Sequence, residues 1–179
     1  VSASTTVIER DQVEISSAID ETFGERATLA VRYAELLCTD GIERGVLGPR
    51  EAGRVWERHI LNSAAVASLL PSGARVVDLG SGAGLPGIPL ALARPDLTVV
   101  LLEPKERRVR FLRDCLASLA LERVQVVQGR AEDGLAPRAE FVVARAIAPL
   151  EALVRLSFEL LVDGGVLLAL KGSSAAGEL

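Results

Sequence analysis

From residue 76 to residue 170 the chain repeats one texture, a short and nearly unbroken apolar run followed by a stretch with helical spacing. The apolar runs are Val76-Val77, Thr98 to Leu102, Val124 to Val127, Phe141 to Ala144 and Val166 to Leu170. A strand with one wet face alternates apolar and polar residues, whereas a strand covered on both faces has no polar side to show. Between the runs, Val109, Leu112, Leu116 and Leu119 recur at helical spacing, as do Leu150, Leu153, Val154 and Leu161. Buried strands alternating with helices predict a parallel sheet with helices on both faces, a doubly wound α/β fold.

Residues 1–71 read differently. The first dozen are polar and aperiodic and read as a frayed end. From Gln12 to Leu37 the pattern is helical, with Leu29, Tyr33 and Leu36 or Leu37 on one face. Gly41, Gly45, Gly48 and Pro49 punctuate a loop. A second helical region starts at Arg50, with Leu61, Ala64, Ala65 and Leu69 as its buried stripe, and Pro71-Ser72-Gly73 ends it. The expected organisation is a helical cap over residues 1–71 and an α/β domain over residues 72–179.

Composition narrows the function. With 179 residues, 49% hydrophobic and 25% charged, the chain can bury a core without staples. Cys38 and Cys115 lie far apart in helical stretches, which excludes a disulfide framework or a zinc cluster and predicts two buried thiols in a reducing compartment. No apolar run reaches the ~20 residues of a membrane span, and the start, Val1-Ser2-Ala3-Ser4-Thr5-Thr6, lacks the charged and apolar regions of a secretory signal. The expected location is the cytoplasm. The lack of any methionine, even at position 1, points to a trimmed or alternative start. A net charge of -4 excludes general attraction to nucleic acid, so a nucleic-acid partner needs a local patch. Lys105 to Arg113 holds five basic residues and reads either as the solvated face of a helix or as a phosphate-tracking stripe.

The strongest motif is Asp78-Leu79-Gly80-Ser81-Gly82-Ala83-Gly84-Leu85-Pro86-Gly87, between a strand and a short helix. Alternate glycines let a backbone pass close to a ligand, and amides at a helix start favour a carboxylate or phosphate. Gly82, Gly84 and Gly87 fit the GxGxxG dinucleotide pattern, with Glu103 lying 21 residues beyond Gly82. Asp78 disfavours that reading, because it closes the strand where a doubly anionic pyrophosphate would approach. S-adenosylmethionine carries an ammonium and a sulfonium that suit an acid there, and Glu103 can accept from both ribose hydroxyls. After the third strand, Gly129-Arg130-Ala131-Glu132-Asp133 flanks the ligand crevice of such a fold, where Ala131 and Glu132 can meet an adenine ring.

Two cations close later strands, Arg145 in Ala144-Arg145-Ala146 and Lys171 in Leu170-Lys171-Gly172. No Asn/Asp-Pro-Pro-aromatic stretch follows the fourth strand, which argues against attack by an exocyclic amine, and neither cysteine ends a strand, which argues against a cytosine-C5 nucleophile. The single histidine, His59, lies beside Arg58 and Asn62 in a helical segment. For these three, packing or capping and a substrate-facing role both remain open.

Together, Arg58-His59-Ile60-Leu61-Asn62-Ser63, Asp78 through Pro89, Glu103 with Arg107 to Leu112, Arg145-Ala146 and Leu170-Lys171-Gly172 closely resemble the bacterial 16S ribosomal RNA guanine-N7 methyltransferases, known as glucose-inhibited division protein B. The resemblance runs from about Leu29 to Gly172. It implies a class I S-adenosylmethionine-dependent methyltransferase fold, a Rossmann-like sheet, and methyl transfer to guanine N7 in the rRNA of the small ribosomal subunit. It implies donor contacts by Gly80, Leu85, Ala131, Glu132 and Arg145, to which the reading of the glycine loop and the strand end adds Asp78, Gly82, Gly84 and Glu103. RNA contacts fall on Arg58, His59, Asn62 and Lys171. Positioning falls on His59, Arg145 and Lys171, with no acid or base, no metal, no membrane and a monomeric chain. Gly45-Val46-Leu47 departs from the Asn-Leu-Thr of many relatives. The family also continues past Lys171-Gly172 with two further strands, so a C-terminally incomplete sheet is expected. A nicotinamide-dependent oxidoreductase, a small-molecule methyltransferase and a non-catalytic donor-binding module are the rival readings.

Overall fold

Five strands, β1 (Arg75–Leu79), β2 (Thr98–Glu103), β3 (Val124–Gln128), β4 (Ala139–Arg145) and β5 (Leu161–Leu170), form one sheet in a computed structural model that describes residues 3–145 and 149–170. All neighbours are parallel, in the order β3-β2-β1-β4-β5. The chain winds outward from β1 to β3 and then returns to the other side of β1, so the order reverses between β1 and β4. At such a reversal the connecting loops diverge and leave a crevice at the carboxyl ends of the strands. Every expected strand is present.

The continuous apolar runs have the expected cause, since the sheet is covered on both faces. Val76, Val99 and Leu101 face a core shared with Tyr33, Leu37, Ile60, Ile88, Phe111 and Leu112. Val77, Val100, Leu102 and Val142 point the other way, under Leu153 and Leu160. The helices on the first face are α1 (Ala3–Phe23), α2 (Ala27–Leu36), a short α3 (Asn62–Ala64), α4 (Gly87–Ala93) and α5 (Glu106–Leu119), while α6 (Leu150–Phe158) covers the second. Burial of twelve large side chains to below 2% exposure, at about 25 cal/mol per Å2 of apolar surface, supplies the dominant stabilising term.

Four details differ from the sequence reading. The first dozen residues are helical from Ala3 onward, because nothing in residues 3–23 breaks a helix and propagation requires no apolar stripe. The expected helix over Gln12–Leu37 is two, separated at Gly24, whose φ of +51° no helix accommodates. In the second helical region Ala65 and Leu69 are exposed, while Val55, His59, Ile60, Ser63 and Ala64 are buried. The backbone there runs as a 3-10 turn over Pro49–Arg54, then π-helical over Val55–Leu61. Each extra residue in a turn rotates the following face by about 100°, which moves the stripe off an ideal α-helical spacing. Finally, Leu161 opens β5 rather than extending α6, since it pairs with Ala139 ahead of an irregularity in the ladder.

Candidate active site

The loop after β1 is stitched to β2 by its own backbone, with the Gly80 and Ser81 amides donating to the Leu102 carbonyl at 2.9 and 3.1 Å. From beneath, the fully buried Tyr33 hydroxyl donates to the Ala83 carbonyl at 2.8 Å. The glycines of this loop do different jobs. Gly82 has φ +59°, and a Cβ on it would meet nothing nearer than the Gly80 carbonyl oxygen at 3.8 Å. A Cβ on Gly84 would lie 2.5 Å from Ile88 Cδ1 and 3.1 Å from Leu112 Cδ2, and one on Gly87 would lie 2.7 Å from Asp78 Oδ2. Gly82 therefore faces open space, whereas Gly84 and Gly87 let α4 lie close on the sheet. Gly84, expected at the ligand, lines neither cleft of the site.

The two acids at the strand ends also separate. Asp78 is wholly buried, accepts the Gly87 amide at 3.0 Å through Oδ2, and lines neither cleft. Its Oδ1 has no partner, and burial raises the carboxyl to about 7 against the pull of the Gly87 amide. Asp78 thus pins the start of α4 in place. Glu103, also buried, accepts the Gly82 amide at 2.9 Å and the Lys105 amide at 3.0 Å, and Arg108 stands 3.6 Å away. Unlike Asp78, it lines a cleft.

That cleft, of about 510 Å3, runs over the ends of β1, β2 and β3 and is lined by Leu79, Gly80, Leu102, Glu103, Lys105, Arg108, Ala131, Glu132 and Leu156 among others. Ala131 is buried and Glu132 exposed, on a 3-10 turn that Asp133 caps by accepting the Arg130 amide at 2.7 Å. A second cleft of about 230 Å3 opens on the other side of the loop, lined by Val46, Leu47, His59, Gly80, Ser81, Gly82, Ala83, Leu85, Arg108 and Arg145. Gly80 and Arg108 belong to both clefts.

Arg145, at the end of β4, is bound by the helical cap. Its guanidinium donates to the Arg58 carbonyl at 2.9 Å, the His59 carbonyl at 3.3 Å, Ser63 Oγ at 3.1 Å and His59 Nδ1 at 2.7 Å. His59 is buried, and its Nε2 lies 2.7 Å from Glu51 Oε2. Both imidazole nitrogens are therefore engaged. Arg58 and Asn62 are exposed, Arg58 standing 3.5 Å from Glu51. Lys171 lies outside the described residues. The basic run on α5 is largely spoken for, since Arg107 donates to the Gly45 carbonyl, Arg108 faces Glu103 and Arg110 pairs with Glu106.

Sequence reasoning gave no site role to Glu51 or Tyr33 and took Arg108 and Ser63 only as members of longer motifs. Arg108 was within reach, since it sits in the first turn of the helix that follows Glu103. Tyr33 meets the glycine loop across 50 residues of sequence, where no spacing rule applies. Burial pushes the Cys115 thiol up to about 12, too high to supply a thiolate, and the described residues contain no cluster that could hold a metal ion. No helix among the described residues is long and apolar enough to cross a membrane.

A parallel sheet with a glycine loop after β1 and an acid closing β2 has the fold of a class I S-adenosylmethionine-dependent methyltransferase. The structure of M. jannaschii TYW2 in complex with AdoMet matches it with a TM-score of 0.54 and 23% identity, over 63% of this chain and 52% of that one. The family description "rRNA small subunit methyltransferase G" (GidB) matches residues 26–179, and the chain belongs to that family. The ribosomal RNA small subunit methyltransferase G of Frankia casuarinae is 56% identical over 174 residues, covering 94% of this chain and 66% of that protein. That of Thermobifida fusca is 54% identical over 170 residues, covering 94% and 72%. The chain spans about two thirds of the length of these relatives.

Proposed function

We propose that this chain binds S-adenosylmethionine across the two clefts and transfers its methyl group to N7 of a guanine in 16S rRNA of the small ribosomal subunit. The observation that carries the reading is the Gly82 amide donating to the buried Glu103 carboxylate where the two clefts meet, with the open side of Gly82 on the smaller cleft and Glu103 on the larger, so that a backbone and an acid can both meet one ligand spanning them. Family membership over residues 26–179 supports the rRNA substrate. The donor supplies a methyl group already activated on a sulfonium. Glu103 has two lone-pair positions left after its backbone bonds and can accept from ribose hydroxyls. Ala131 and Glu132 are suited to the adenine, while the Gly80 and Gly82 backbone, Leu85 and Arg145 are suited to the amino-acid end. Asp78 serves by holding the loop rather than by touching the donor.

Guanine N7 carries a lone pair and no proton, so no group need remove one. The residues fit that requirement, since His59 has no free nitrogen and the Cys115 thiol stays protonated. What the chain contributes is orientation and exclusion of water, an effect that can supply several kcal/mol. Arg58, Asn62 and Lys171 are the proposed RNA-facing residues, in a monomeric cytoplasmic enzyme.

Labelled methyl transfer to small subunits from a strain lacking the enzyme tests the reading. Incorporation at a guanine N7 supports it; transfer to small molecules alone, or stabilisation by NAD and not by S-adenosylhomocysteine, overturns it.

A further inference from the structure

A chain of hydrogen bonds, Glu51 to His59 to Arg145, joins the helical cap to the sheet, and elementary donor–acceptor chemistry fixes its direction. A guanidinium has donors and no acceptor. At 2.7 Å from Arg145, Nδ1 of His59 must therefore offer its lone pair. The remaining nitrogen, Nε2, then carries the proton and donates it to the Glu51 carboxylate at 2.7 Å. The other tautomer would oppose two donors at one end of the ring and two acceptors at the other. An imidazolium would set a second cation and a second donor against Arg145. One state satisfies every atom, the neutral ring protonated on Nε2.

We propose that Glu51 and His59 are positioning residues for Arg145, with Glu51 fixing the imidazole proton on Nε2 and the freed Nδ1 holding the guanidinium over the smaller cleft. The functional half of this proposal rests on the donor-facing role given to Arg145 above. Two further observations favour it over simple packing. His59 and Arg145 line the same cleft. The two carbonyls that also receive the guanidinium, those of Arg58 and His59, belong to the π-helical turn Val55–Leu61 that carries the imidazole. Widened turns of this kind recur at functional sites. The charged groups around the ring are Glu51 and Arg58 from its own segment and Arg145 from β4, with Arg54 acting on Glu51, and Tyr33 and Asp78 acting on Arg145 from α2 and β1. Burial first, and then the Arg145 charge, pushes His59 below its usual 6.5, against the opposing Glu51. The relay is thus intact at neutral pH and breaks as acid protonates Nδ1.

The chain has one histidine, so its ring nitrogen signals need no assignment. In the 15N-labelled protein at pH 7.5, the expected spectrum is Nε2 protonated and Nδ1 bare. Glu51→Gln, which keeps an acceptor, should retain it, while Glu51→Ala should give mixed tautomers. A wild-type spectrum with Nδ1 protonated, or Glu51→Ala indistinguishable from wild type, overturns the relay without reference to any ligand. Calorimetry with S-adenosylhomocysteine then reads the functional half. His59→Ala and Glu51→Ala should each weaken binding about tenfold, the effect of losing a hydrogen bond to a charged group. His59→Asn, which puts an oxygen near the Nδ1 position, and Glu51→Gln should restore it. Equal losses in the conservative and non-conservative variants would mean a packing role alone. If Arg145→Gln binds the analogue as wild type does, the donor-facing role fails, while the ring spectrum still decides the relay.

Discussion

The two clefts share a wall at Gly80 and Arg108 but are built in opposite ways. The larger is made from consecutive strand ends, each followed at once by the loop that lines it: Leu79-Gly80 after β1, Glu103 through Lys105 after β2, and Gly129 through Glu132 after β3. The smaller joins β4 and the glycine loop to His59, Val46 and Leu47 of the helical cap. One is a product of local succession and the other of long-range packing. The larger should therefore survive anything that leaves the sheet intact, while the smaller depends on how the cap is seated.

The sharpest break of this comparison is between two glycines five residues apart. Gly82→Val should leave the chain folded, since its side chain enters open space at the cost of about 2 kcal/mol for a β-branched residue on a left-handed backbone. It should abolish binding of S-adenosylhomocysteine in calorimetry. Gly87→Val should do the reverse in kind. Its side chain enters Leu101 and Asp78, and overpacking at two such contacts costs about 3 kcal/mol or more, read as a lost or lowered thermal transition. A stable Gly87→Val protein, or a Gly82→Val protein with unchanged affinity, would show that the glycines are not divided in this way.

Next in size, Arg145→Gln should separate the clefts. It removes the bonds to Arg58, His59 and Ser63 that join cap to sheet. Affinity for S-adenosylhomocysteine should fall about tenfold, whereas affinity for adenosine alone, which needs only the larger cleft, should stay unchanged. Equal losses for both ligands would mean that the clefts are one coupled unit.

This division also explains what could be read from the sequence. All five strands, the glycine loop and Glu103 were legible, because buried parallel strands show as apolar runs and an acid at a strand end follows from counting along one chain segment. Asp78 was legible as important, but its contact with the Gly87 amide was not. Its position at the end of β1 suggested a contact with a cationic donor, but whether a side chain faces a cleft or a neighbouring helix depends on which pleat face it occupies, and here that face meets the Gly87 amide. The packing at Gly84 was hidden for the same reason, since Ile88 and Leu112 reach it only in the folded chain. Around Arg145, His59 was legible as a positioning residue, but its pairing with Glu51 was not, because the two lie on a segment whose 3-10 and π turns break the one periodicity that could have grouped them.

Asp78 gives a pH dependence whose sign follows from its burial. Its carboxyl titrates near 7 in the folded chain against 3.8 ordinarily, so between these values the folded state holds a proton that the unfolded state has lost. For this group, stability is greatest below pH 3.8, falls by up to about 1.4 kcal/mol for each pH unit above it, and levels off beyond 7. Asp78→Asn removes the titration and offers an amide in place of the unpartnered oxygen. Urea unfolding should show the variant gaining on wild type from pH 5 to pH 7.5, and a constant difference between the two would mean that Asp78 is ionised throughout.

The smallest expected effect lies in the larger cleft and probes whether local succession alone shapes it. Asp133 caps the 3-10 turn that carries Ala131 and Glu132 by accepting the Arg130 amide at 2.7 Å. Removing such a cap costs about 1 kcal/mol where the freed amide cannot find an equal partner. Arg130 is exposed, so water recovers part of that cost, and the global stability of Asp133→Ala should fall by less than this. The turn itself should loosen, because the Asp133 carboxylate is what closes it on its first amide. Affinity for adenosine and for S-adenosylhomocysteine should then fall together by a few-fold, since both use the same wall of the larger cleft. The His59 ring spectrum should not move, because the Glu51–His59–Arg145 chain lies on the other side of the glycine loop. A weaker S-adenosylhomocysteine complex with unchanged adenosine binding would place the effect in the smaller cleft and contradict the separation of the two.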